Sequence, residues 1–402
     1  MTAGDIERVE AYLHFLCEEL EGRELGTAGN RAAVDYFART MESFGYQVDL
    51  DPFECLGWID RGSRLHYDTQ VFKLHTGPYS KPCDIRAALV VAETVEQLRQ
   101  VPAEGCVLLA RGELTAGQLM PRNFPFYRSD AHQEIFCTLE RLRPAVVLAA
   151  TGTDPALAGG LTPFPWIEDG DFEIPNAYLG LEQGERLASH AGREVLVHID
   201  SARAPESGSN VSASCGRGPR LVICAHIDTK RGTPGAIDNG TGIAALLLTA
   251  EMLAEEQTLP IEFTALNGEE NYAASGQVRY IDRNRGRFEQ IRLAINLDGV
   301  GYKDGGTDYS LYNMPTDLEA GLRLILSGRS NLSEGPAWYQ SDHSLFIQNG
   351  RPALALTSQR FEHIWGQIAH TELDRTELVE PRRVVEVSEL LRDIALHFQT
   401  TR

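Results

Sequence analysis

A chain of 402 residues has room for two or three domains and a deep core, so a single small module is excluded. Its 57 acidic against 37 basic side chains leave a formal net charge of -20, which would repel a phosphate backbone; no basic cluster offsets it, and nucleic acid is not an expected partner. The longest apolar runs, such as Leu221 to Ala225 and Ile243 to Leu248, are far short of the roughly 20 residues a membrane helix needs, so no membrane span is expected.

The chain opens on MTAGDIERVE, which has neither a basic start nor an apolar run. A cytoplasmic protein is the expectation, or a secreted one if a leader has been removed. Ile6, Val9, Leu13, Leu16 and Leu20 then recur at helical spacing, and after a Gly-rich break at Gly26 to Gly29 so do Val34, Phe37, Met41 and Phe44. Two amphipathic helices are predicted. Gly45 stops the second, and Tyr46 to Leu50 alternates as a strand does.

Residues 51–205 change character, to short β-like runs separated by Pro and Gly: Ala87 to Ala92, Cys106 to Ala110, Ala145 to Ala150, Ala177 to Leu179 and Val195 to Ile199. One helical stretch, Ala131 to Leu142, interrupts them. The pattern predicts an inserted β-rich domain bounded by the polar segment Ser201 to Asn210, with residues 1–50 and 206–402 forming the other domain. In that second part the apolar runs Leu221 to Ala225, Ile261 to Leu266, Ile291 to Leu297 and Pro352 to Thr357 alternate with the helical patterns Ile243 to Leu253 and Val384 to Leu396. Such alternation predicts an α/β fold, with a mostly parallel, mixed central sheet and helices on both faces. The seven cysteines are odd in number, scattered and never spaced as CxxC; most are expected as small core residues, and neither a disulfide framework nor a thiolate zinc site is expected.

Ligands collect at the carboxyl ends of parallel strands, and there the residue types become informative. Leu221 to Ala225 runs into His226 and Asp228, Ile261 to Leu266 into Glu269 and Glu270, and Ile291 to Leu297 into Asp298. Asp238 lies in the Gly-rich loop GAIDNGTG, and His370 in AHTELD beyond the last strand. Taken singly, each has a bland reading as a structural histidine, a solvated loop or a turn. Taken together, four carboxylates at one sheet edge would repel one another and take up protons unless divalent cations neutralised them. Mixed imidazole and carboxylate ligation suits zinc, with cobalt or manganese as substitutes.

The successive segments AHID, GAIDNGTG, NGEE, NLDG, SDHSLF and AHTELDRTELVEP resemble those of the M28 family of co-catalytic zinc aminopeptidases, over about Leu221 to Phe398 and more loosely over Gly22 to Val48. The resemblance implies a zinc-exopeptidase-like fold and two Zn2+ per chain: His226 and Asp298 on one, Glu270 and His370 on the other, Asp238 bridging. It implies Glu269 as general base, Asp228 as the carboxylate that orients the His226 imidazole, and a cis peptide between Asp238 and Asn239. Tyr339 would be an added oxyanion donor or pocket lining, and Asp342 and His343 would shape the pocket by hydrogen bonding. The insert resembles a protease-associated domain, with GCVLLARG and AVVLAATG as anchors. The implied reaction is removal of N-terminal residues from peptide substrates. Carboxypeptidase action, a single-zinc glutaminyl-cyclase-like acyl transfer and a binding protein on a retired peptidase fold stand as alternatives. An M20-type metallopeptidase is rejected, because recognisable core segments fill the gap from Asp298 to His370. Preference at the cleaved end and oligomeric state are not legible.

Overall fold

The computed structural model describes residues 2–153 and 162–400; Met1, residues 154–161 and the last two residues lie outside them. The chain forms two compact units, Met1–Cys55 with Ser207–Arg402, and Leu56–Glu206.

The first unit opens with the helices Ala3–His14 and Ala28–Ser43, capped by Thr2 and Thr27, each of whose hydroxyls accepts from an amide three residues on. The glycine-rich break is thus shorter than expected: Thr27 caps the helix and Gly29 already lies in its first turn. Gly45, at φ +89, ends that helix where a side chain would be strained.

The unit's central strands lie side by side in the order Ala353–Ser358, Ile291–Leu297, Arg220–His226, Ile261–Leu266, all parallel to their neighbours. Thr307–Tyr312 runs antiparallel beyond Ala353–Ser358, and residues 211–215 run antiparallel beyond Ile261–Leu266. The sheet is therefore mixed, with a parallel centre. Side chains of Arg220–His226 alternate between faces, as the pleat demands. Leu221, Ile223 and Ala225 join the core with the helices Thr241–Met252 and Pro381–Thr400, while Tyr280 and Phe346 build an aromatic layer from the helices Ser275–Arg283 and His343–Gln348. Residues Thr241 to Ala250 are buried without exception; mutual packing of this helix with Ala3–His14 and Pro381–Thr400 explains why its sequence is apolar all round. Among the described residues no helix is long and apolar enough to cross a membrane.

From Arg220–His226 the chain moves to Ile261–Leu266 on one side and then to Ile291–Leu297 on the other. Strand order reverses at Arg220–His226, which is where the loops leaving an open α/β sheet part and leave a crevice.

The second unit departs from expectation. Its strands Cys83–Ala92, Val107–Ala110, Val146–Thr151 and Asn176–Gly180 form a parallel sheet, and among the described residues three α-helices accompany them, Val95–Gln100, Asp130–Leu142 and Leu181–Ala188, where one was expected. The two missed helices are 6 and 8 residues long, too short for periodicity to reveal. Ser201 to Asn210, expected as a bounding linker, lies inside the strand Glu194–Cys215, which buries Ser201 and Asn210 along with its apolar residues. The cysteines also differ: Cys224 alone is buried, Cys137 is exposed and the other five are half-buried, all as free thiols.

Gly276, in the first turn of Ser275–Arg283, leaves no room for a side chain, since a Cβ there would lie 1.8 Å from the Asn267 carbonyl oxygen and 2.7 Å from the Asn210 side-chain oxygen. Gly276→Ala is expected to cost about 1–3 kcal/mol as overpacking beside the Asn267 loop, and thermal denaturation checks it: an unchanged melting temperature would show that the loop yields freely.

Candidate metal centre

Three strands deliver side chains to the crevice. His226 is the last residue of Arg220–His226, Glu269 and Glu270 follow Ile261–Leu266, and Asp298 follows Ile291–Leu297. Asp238 sits in the turn Ala236–Gly240, which feeds the helix Thr241–Met252, and the Asp238–Asn239 peptide is cis. His370 follows the helix Phe361–Gln367 with a left-handed backbone, φ +60.

The structure brings five of the expected residues together as two donor groups that share Asp238: His226, Asp238 and Asp298, and Asp238, Glu270 and His370. His226 Nε2 lies 3.1 Å from Asp238 Oδ1 and 3.6 Å from Asp298 Oδ1. His370 Nε2 lies 3.2 Å from Asp238 Oδ2 and 2.8 Å from Glu270 Oε1. All but His370 are buried.

These groups satisfy one another only in part. Burial alone would lower His226, but the facing carboxylates of Asp238 and Asp298 outweigh it and hold the imidazole well above its ordinary value. His370 is raised in the same way, its burial overcome by Glu270 and Asp238. Glu269 is pushed well above the carboxylate range by burial, with Glu270, Asp342 and Asp298 adding to the effect against the pull of His226. Asp298 Oδ1 is buried and accepts no hydrogen bond from the described residues, His226 Nε2 standing 3.6 Å away. Two imidazoles and three carboxylates, with an orphaned acceptor aimed among them, are a donor set that fits divalent cations of the zinc type.

The supports of this cluster are only partly those expected. Asp228 is buried, but the nearer partner of His226 Nδ1 is the Asp228 carbonyl oxygen, at 3.1 Å, with the carboxylate at 3.9 Å. The Asp228 carboxylate instead accepts from the amides of Glu269, at 3.2 Å, and Glu270, at 3.1 Å, so it fixes the loop that presents both glutamates. Lys230 Nζ donates to the Glu270 carbonyl at 2.7 Å. Asn267, just ahead of them, exchanges side-chain hydrogen bonds with Asn30 at 2.9 and 3.0 Å and donates its amide to Asn210 Oδ1 at 3.0 Å.

Asp342 and His343 are buried nearby. Asp342 Oδ1 accepts from Gln277 Nε2 at 2.7 Å, and His343 Nε2 donates to the Trp338 carbonyl at 2.7 Å. Burial pushes His343 down to about 4 against that carbonyl's pull, so it stands neutral. Tyr339 is different: it is 58% exposed, its ring meets Tyr312 edge-on at 5.4 Å, and none of its contacts among the described residues reaches the five donors.

Sequence reasoning missed Asp374, which is fully buried and accepts from the amides of Ile237 at 2.7 Å and Asp238 at 2.9 Å. Burial, reinforced by repulsion from Asp238, pushes it up to about 7. Its only sequence signal was its place four residues after His370 in AHTELD. Asn239 was likewise passed over, although its side chain donates to the Leu297 carbonyl at 2.7 Å and accepts from Gly242 at 3.1 Å, joining the Asp238 turn to the strand that carries Asp298.

Comparison with known proteins agrees with this architecture. An aminopeptidase of Pseudomonas aeruginosa is 25% identical over 365 residues, covering 82% of this chain and 65% of its own length. A probable lipoprotein aminopeptidase of Mycobacterium tuberculosis, LpqL, is 24% identical over 78% of this chain and 61% of its own. The chain therefore spans just under two thirds of the length of these relatives. Among solved structures, the aminopeptidase from Aneurinibacillus sp. strain AM-1 superposes with a TM-score of 0.73 at 20% identity, over 98% of this chain and 93% of that one. BSAP, a zinc aminopeptidase from Bacillus subtilis, gives 0.72 at 19% identity, over 98% and 95%. Residues 210–395, which hold all five donors, match the model of peptidase family M28.

Proposed function

We propose that the chain is a zinc-dependent aminopeptidase that removes N-terminal residues from peptides. The observation that carries this reading is the pair of donor groups hinged on one carboxylate, with a further glutamate, Glu269, beside them and outside both. His226 and Asp298 would hold one Zn2+, Glu270 and His370 the other, and Asp238 both; Co2+ or Mn2+ would suit the same donors. A single-zinc, cyclase-like centre would leave one of these groups unexplained. The names of the relatives as aminopeptidases, and of the B. subtilis neighbour as a zinc aminopeptidase, support the same reading.

The ions, when bound, supply Lewis acidity: they polarise the scissile carbonyl and bring a water's pKa toward neutrality. The remaining work falls to the chain. Glu269, held by its amide to Asp228, takes the attacking water's proton and passes it to the leaving amine, so the C–N bond breaks with a neutral amine departing. Asp228 keeps Glu269 and Glu270 in register, which separates the base from the ligand although the two are adjacent in sequence. The acidic cluster attracts the substrate's free α-ammonium. Asp342 and His343 shape the wall beyond it through Gln277 and Trp338. The likeness of residues 51–205 to a protease-associated module rests on position and strand pattern, and no step depends on it.

Two outcomes are expected. Glu269→Gln should keep its zinc and lower kcat by about 10²–10⁴-fold, the usual range for a positioned base, whereas Glu270→Gln should lose activity through weakened occupancy of one metal. Turnover together with zinc content on both variants checks this, and near-normal turnover in Glu269→Gln would remove it as the base. On a matched pair of peptides, the free N-terminus should be cleaved and its N-acetylated form left almost intact; equal rates would exclude aminopeptidase action.

A further inference from the structure

Arg23 lies between the two opening helices, and its side chain is fully buried. Its Nε donates to the Ile227 carbonyl at 3.0 Å, Nη1 to those of Leu16 at 2.8 Å and Pro234 at 2.9 Å, and Nη2 to that of Gly235 at 2.8 Å. Ile227 stands between His226 and Asp228. Pro234 and Gly235 lead directly into the turn that carries Asp238. The backbone adds to the clamp, since the Arg23 amide donates to Thr229 Oγ1 at 3.3 Å and its carbonyl accepts from the Thr229 amide at 3.3 Å. One side chain therefore ties together two loops that both present metal donors.

The fit is close. Gly235 has φ +64, and a Cβ there would lie 2.3 Å from Thr229 Cγ2, 2.6 Å from the Asp238 carbonyl oxygen and 3.0 Å from Arg23 Nη2. The Gly235 carbonyl also accepts from the Gly240 amide at 2.9 Å, closing the turn around Asp238, while Asp374 grips the Ile237 and Asp238 amides. The side-chain partners of Arg23 are neutral, four carbonyls and the Cys17 thiol at 3.6 Å from Nη1, and burying a guanidinium on such partners is costly. Packing by itself would be served at lower cost by an apolar side chain of similar length. What such a side chain lacks is a rigid planar fork able to reach carbonyls on diverging loops, and a lysine ammonium lacks it too.

We propose that Arg23 is a positioning residue of the metal centre, setting the separation of the His226 and Asp238 loops and thereby the cation affinity of both donor groups. The proposal rests on the reading of the five donors as a metal centre. Because Asp238 belongs to both groups, loss of the fork weakens both, unlike loss of Glu270, which belongs to one.

The test is a zinc titration of metal-free wild-type, Arg23→Gln and Arg23→Lys proteins against a chromophoric chelator, with circular dichroism and melting of the metal-free forms alongside. The expected result is folded variants whose zinc dissociation constants rise about 10–100-fold at both groups, the range seen when supports behind metal ligands are lost, with altered visible spectra when loaded with Co2+. A merely structural role would lower the melting temperature and leave zinc affinity and the Co2+ spectrum unchanged, and that result overturns the proposal. Failure of both variants to fold overturns it as well, since the guanidinium would then serve the fold. Wild-type protein that takes up no zinc would instead overturn the metal-centre reading, and this inference with it.

Discussion

Asp238, Asp298 and Glu270 are buried within about a hydrogen bond's length of two imidazoles, and the first unit's architecture depends on keeping that concentration of charge in place. Burial, with repulsion from Asp238 added, pushes Asp298 above its ordinary value, while the two imidazoles hold Asp238 below its own. The imidazoles answer the charge in part by holding protons. In the proposed centre two cations answer it fully and displace those protons, which couples metal binding to the order of every loop involved.

No single element could assemble such a cluster. The parallel strands bring His226, the Glu269–Glu270 pair and Asp298 to one edge because strand order reverses at Arg220–His226. The loops that follow are then held by hydrogen bonds to their backbones: Asp228 on 269 and 270, Asp374 on 237 and 238, Asn239 on 297, Arg23 on 227, 234 and 235. Fixing backbone leaves the side chains of the donors to face one another, with Asp298 Oδ1 taking no hydrogen bond from the described residues. That division of labour is what a preformed metal centre requires.

The central strands were legible from their apolar runs, and His226, the Glu269–Glu270 pair and Asp298 because they follow three of those runs, while Asp238 and His370 stand in loops and joined them by residue type. The supports were not. Arg23 and Asp374 have no local signature, and their roles arise from contacts spanning more than a hundred residues of chain. The family resemblance implies Asp228 as the carboxylate that orients His226, whereas the fold turns that carboxylate chiefly to the amides of Glu269 and Glu270. Tyr339 stands close to Asp342 in sequence, but its side chain is exposed and packs on Tyr312. In the second unit, short helices and a half-polar long strand lacked the periodicity that made the first unit readable.

The central claim is that one buried carboxylate, Asp238, joins two cation groups into a single centre. Zinc stoichiometry tests it most directly, measured by elemental analysis on metal-free protein reconstituted with zinc and dialysed free of excess. The account predicts saturation at two ions per chain. Saturation at one, or no uptake at all, would contradict it.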